Sequence, residues 1–78
     1  MKNFDPTETF ETMAIANAEM AVDQLGEYSS AEQAWGEYRS NVEMTAEEMG
    51  ATTAADFRRA YDAFDDRFGD LSGWHPWK

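Results

Sequence analysis

Apolar residues in this chain of 78 recur every three or four positions in three successive stretches, and almost nowhere do they alternate with polar ones. The first pattern places them on one side of an α-helix, and the second, which a half-buried strand needs, is missing. Connections of only a few residues separate the stretches, so neighbouring helices must turn back on one another. The expected fold is all-α: a small three-helix bundle, one domain spanning 1–78, with a tryptophan-containing C-terminal tail packed on the core.

The first stretch opens with Asp5 as a cap, Pro6 at the first helical position and Glu8 three residues after the cap, and it stops near Gly26. Phe10, Met13, Ala14, Met20, Ala21 and Leu25 form its apolar arc, with Glu8, Glu11, Glu19, Asp23 and Glu27 opposite. The second begins at Ser29-Ser30, where Glu32 and Gln33 each follow a serine by three, and it runs to Met49 before Gly50. Ala31, Ala34, Trp35, Tyr38, Val42 and Met49 share its apolar face; Glu32, Glu37, Glu43, Glu47 and Glu48 lie away from it. One long helix is expected, with a break near Met44 as the alternative, because Thr45 and Glu48 form a capping box of their own.

In the third stretch Thr53 caps and Asp56 follows at the third position, while Phe57, Ala60, Tyr61, Phe64, Phe68 and Leu71 repeat at helical spacing and Gly69 supplies a stop. Arg58 and Arg59 stand within three or four residues of Asp62, Asp65 and Asp66, so local pairing is expected to neutralise much of this helix. The excess negative charge is then expected on the first two helices. Trp74 and Trp77 are expected to fold back over the open end of the core, the alternative being an aromatic hook for a partner.

A single core of this size leaves a narrow stability margin, and with no cysteine there is no disulfide to widen it. High charge can prevent collapse, but 42% apolar and 14% aromatic residues at periodic positions argue for a packed core. The start reads as neither a signal peptide nor a membrane anchor, and no window approaches the roughly 18 apolar residues of a spanning helix. A cytoplasmic protein without membrane contact is expected.

Residues that carry chemistry are scarce. His75 is the single histidine, with no Ser or Asp arranged beside it as a triad. Zinc and calcium spacings are absent, and so is a phosphate-binding glycine loop. Adjacent acids such as Glu47-Glu48 and Asp65-Asp66 diverge by about 100° on a helix, so they do not form an acid/base pair. Neither an enzyme nor a cofactor or metal site is expected.

Charge is the strongest functional signal: 16 acidic against six basic residues, a net −10. Such a surface repels phosphates, which argues against direct nucleic-acid binding. It also attracts basic surfaces, and acids three or four residues apart on a helix are spaced about 5–6 Å, comparable to charges along a nucleic-acid backbone. Glu8, Glu11, Glu19, Asp23 and Glu27 on the first helix, with Glu32, Glu37, Glu43, Glu47 and Glu48 on the second, are the candidate partner-binding residues. Association through them is fast, steered and salt-sensitive.

In size, acidity, lack of cysteine and lack of a catalytic constellation the chain resembles the small DNA-mimic inhibitors of phages and mobile elements, the anti-restriction and anti-CRISPR classes. The stretch GEYSSAEQAWGEY, residues 26–38, looks like the acidic and aromatic segments of anti-restriction DNA mimics. For this length the resemblance implies an anti-CRISPR protein that keeps target DNA from a CRISPR effector complex, with a restriction enzyme as the next target. It assigns no residues. Two alternatives stay open: a helix-mediated interaction module or dimer, for which Ile15 and Val22 are an exposed stripe or part of a wider core, and a salt-adapted domain whose acids only hold water. Oligomeric state is left open.

Overall fold

Residues 9–75 are described by a computed structural model. Three α-helices follow one another: α1 (Phe10–Asp23), α2 (Ala31–Glu48) and α3 (Ala54–Ser72), with a 3₁₀ turn at Leu25–Glu27 between the first two. All described secondary structure is helical, so the all-α three-helix bundle holds.

Thr9 opens α1. Its backbone is extended, its Oγ1 accepts from the Thr12 N–H at 3.1 Å, and Thr12 Oγ1 accepts from the Thr9 N–H at 2.8 Å. Two threonines therefore form the capping box expected from Asp5 and Glu8, which lie outside the described residues. The helix α1 starts only after Thr9, whose backbone is extended. At the other end Gln24 N–H reaches both Met20 and Ala21 carbonyls, and the chain tightens into the 3₁₀ turn short of Gly26.

Ser30 caps α2 by accepting from Gln33 N–H, and Gln33 Oε1 returns to Ser29 N–H and Oγ. The helix passes Thr45 without a break. It ends in a Schellman turn: Ala51 N–H bonds Ala46 O at 2.9 Å, Gly50 N–H bonds Glu47 O at 3.0 Å, and Gly50 takes the required left-handed backbone at φ 105°. Ala46 and Ala51, which meet across this turn, are both buried.

Thr53 caps α3 as expected. The helix does not stop at Gly69; it continues to Ser72 and ends at Gly73, φ 77°. Gly69 has another use, since a Cβ there would collide with the His75 ring. The tail thus folds back on α3. Trp74, half-buried, sets its ring 6.2 Å from Phe68 edge-on and 5.8 Å from Trp35. Trp77 lies outside the described residues.

The core is built from alanines around two stacked phenylalanines. Ala14, Ala18 and Ala21 of α1, Ala34 and Ala46 of α2 and Ala60 of α3 are buried, so the helices approach closely, and Phe64, Phe68 and Val42 fill the middle. Among the described residues Asn17 is the buried polar one; its Nδ2 donates to Met13 O at 3.0 Å. Met20 was expected inside but is 48% exposed, and Leu71 is 42% exposed. On the α1 wheel Met20 falls just outside the arc spanned by the buried Met13, Asn17, Ala21, Ala14 and Ala18. Val22 packs against the core and Ile15 is half-buried, which fits the wider core rather than an exposed stripe.

Candidate partner-binding surface

Ion pairs decide which acids remain available. Glu11 is held by Arg59 through two 2.8 Å contacts, and eight residues further along both helices Arg67 reaches Glu19 at 3.2 Å. Equal steps in the same direction mean that α1 and α3 run parallel, joined along a seam where Ile15 and Ala63 occupy the intervening turns. The Arg59 guanidinium holds the Glu11 carboxyl below its ordinary value, and Glu11 in turn raises Arg59.

The seam between α2 and α3 is antiparallel. Arg39 donates to both carboxylate oxygens of Asp65 at 3.2 and 3.3 Å, Trp35 Nε1 donates to the same carboxylate at 2.8 Å, and Glu43 accepts from the Tyr61 hydroxyl. The Arg39 guanidinium lies 4.0 Å from the Tyr61 ring centre and 5.2 Å from that of Trp35. Burial first, and then the Glu43 carboxylate, push the Tyr61 hydroxyl up to about 12. Glu37 likewise raises the hydroxyl of Tyr28, which donates to it.

These pairings overturn the expectation that α3 neutralises its own acids. Arg59 and Arg67 cross to α1, and Asp65 is taken by Arg39 of α2. Asp62, Asp66 and Asp70 are left exposed, each without an ion pair among the described residues. They stand four residues apart on one side of α3, rising about 6 Å per step. Sequence reasoning missed this row, although its spacing was visible.

Of the ten acids expected to bind a partner, Glu8 lies outside the described residues. Glu11 and Glu19 face Arg59 and Arg67, and Glu43 and Glu37 hold tyrosine hydroxyls. Asp23, Glu27, Glu32, Glu47 and Glu48 are exposed. Because α1 and α3 are parallel, Asp23, Glu27 and Glu32 gather at the same end of the bundle as Asp66 and Asp70, while Glu47 and Glu48 occupy the other end. None of the three helices has a basic residue in its last turn, where the dipole favours one; each ends in acids instead.

No group of three or more His, Cys, Asp or Glu able to hold a metal ion occurs among the described residues. Among them, too, no helix is long and apolar enough to cross a membrane.

The fold and its surface define a small acidic three-helix bundle. No protein-family model matches the chain, and no curated protein or solved structure matches it either.

Proposed function

We propose that this protein is an inhibitor that carries carboxylates in place of DNA phosphates and occupies the basic DNA-binding surface of a defence nuclease, a CRISPR effector complex foremost and a restriction enzyme next. It acts in the cytoplasm of the cell that holds that enzyme. The observation that supports this reading is the division of charge. Three arginines are spent on seams between helices, and acids stand at helix ends where the dipole disfavours them, by about 0.3–1 kcal/mol each. Acids held at a loss of stability fit a surface kept for a basic partner.

The row Asp62, Asp66 and Asp70, with the acidic end formed by Asp23, Glu27 and Glu32, replaces the first helix as the leading contact. Capture of CRISPR effectors or restriction enzymes from lysates by the tagged protein, followed by challenge with double-stranded DNA, tests the reading. Mutual exclusion of DNA and protein supports it. Failure to capture any such enzyme at low salt rejects it and favours a salt-adapted surface, whose stability then rises steeply with added salt.

A further inference from the structure

The last turn of α3 is shaped by the tail that follows it. Gly69 is buried, and a Cβ there would overlap the His75 ring, so a residue disfavoured inside helices is required at this point. One turn later Gly73 takes the left-handed backbone, φ 77°, that turns the chain back, while its N–H bonds Gly69 O at 2.9 Å. A Cβ on Gly73 would meet no atom within 4 Å, so backbone conformation alone asks for glycine here. Between the two, Ser72 Oγ donates to Phe68 O at 2.6 Å and accepts from the Trp74 N–H at 3.1 Å. Gly69, Ser72 and Gly73 thus together seat Trp74 and His75.

The seated rings form a cover. Trp74 lies edge-on to Phe68 at 6.2 Å and stands 5.8 Å from Trp35 of α2, whose Nε1 donates to Asp65 at 2.8 Å. Beneath it Phe68 is only 1% exposed. His75 rests on the side of α3 that carries acids, since Gly69 follows Asp62 by seven residues and Asp66 by three. Both rings come directly after Gly73, so rotation about its φ and ψ moves them as a unit.

We propose that residues 73–75 form a strap, hinged at Gly73, that opens and closes over Trp35 and Phe68 while the three-helix bundle stays folded. Closed, it shields both rings from water. Open, it leaves an aromatic surface next to Asp62 and Asp66. Opening releases two half-buried side chains, Trp74 and His75, whereas unfolding exposes the whole core, so the strap moves at a lower free energy than the bundle unfolds. The device does not depend on what the acids bind.

Hydrogen exchange of the full chain in graded low urea, followed by NMR, tests the strap. The Trp74 amide and the Trp35 indole N–H should exchange through one common opening that low urea leaves almost unchanged. The Phe64 amide, released by unfolding, should instead exchange faster with each increment. Gly73→Ala disfavours the left-handed backbone and should speed both strap protons about fivefold or more. His75→Ala empties the Gly69 socket but keeps the hinge; it should speed them too, and it serves if Gly73→Ala does not fold. Strap protons that follow the urea dependence of Phe64 overturn the proposal, as does a Trp35 indole rate that neither variant alters. No partner enters these measurements, so they stand or fall apart from mimicry, which DNA competition reads.

Discussion

Glu11 and Arg59 join α1 to α3 through two contacts of 2.8 Å, although 48 positions separate them in sequence. Both side chains are well exposed, so the pair adds only modest stability, but it fixes the parallel register that Glu19 and Arg67 repeat. Replacing Glu11 and Glu19 by glutamine is therefore expected to lower Tm despite removing negative charge, where simple relief of repulsion would raise it. Thermal denaturation at low salt reads the sign.

Acid should release the same clasp. The Glu11 carboxyl titrates lower in the folded protein than its ordinary 4.5, so its contribution is present above that value and is lost as pH falls through the lower folded one. The Tm difference between wild type and Glu11→Gln should shrink as pH drops below 4.5. A difference that stays constant through that range contradicts the assignment.

Tyr61 behaves in the opposite sense. Its folded value of about 12 exceeds the ordinary 10, so its contribution is complete below pH 10 and is lost as pH rises toward 12. Over that interval wild type should lose Tm faster than Tyr61→Phe. In ultraviolet titration the phenylalanine variant should lack the latest-ionising tyrosine.

Two glycines in helices should respond differently. Gly69→Ala puts a Cβ where the His75 ring lies, so the ring must move, and tryptophan emission should shift to the red as the tail lifts Trp74 off Phe68. Gly36→Ala meets open space and should gain roughly 0.5–1 kcal/mol from helix propensity. Chemical denaturation of both variants checks the pair.

Phe64 is fully buried among alanines too small to close over its loss. Phe64→Ala should therefore cost about 3–5 kcal/mol, enough to unfold much of so small a domain at ambient temperature. Circular dichroism and one-dimensional NMR read the outcome.

Features governed by near neighbours were legible from sequence, and those set by packing were not. Ser30 and Thr53 cap where expected because a cap depends on atoms three residues away. The start of α1 was misplaced because Asp5-Pro6 is the stronger local signal, while Thr12 completing a box with Thr9 is an unusual use of threonine. Gly69 looked like a stop, and only the returning His75 explains it as a socket. The charge pattern suffered most. Arg58 and Arg59 lie close in sequence to the acids of α3, and nothing local indicates that Arg59 turns to α1 or that Asp62, Asp66 and Asp70 stay open to solvent.

The central claim is that the open acids, above all those of α3, take the place of DNA. The most direct measurement is DNA competition on a captured CRISPR effector or restriction enzyme, comparing wild type with the Asp62→Asn, Asp66→Asn, Asp70→Asn triple variant, whose helical fold is first verified. The account predicts that wild type displaces DNA, less so as salt rises, and that the triple variant displaces it far more weakly. Simultaneous binding of DNA and protein, or equal displacement by the variant, would contradict it.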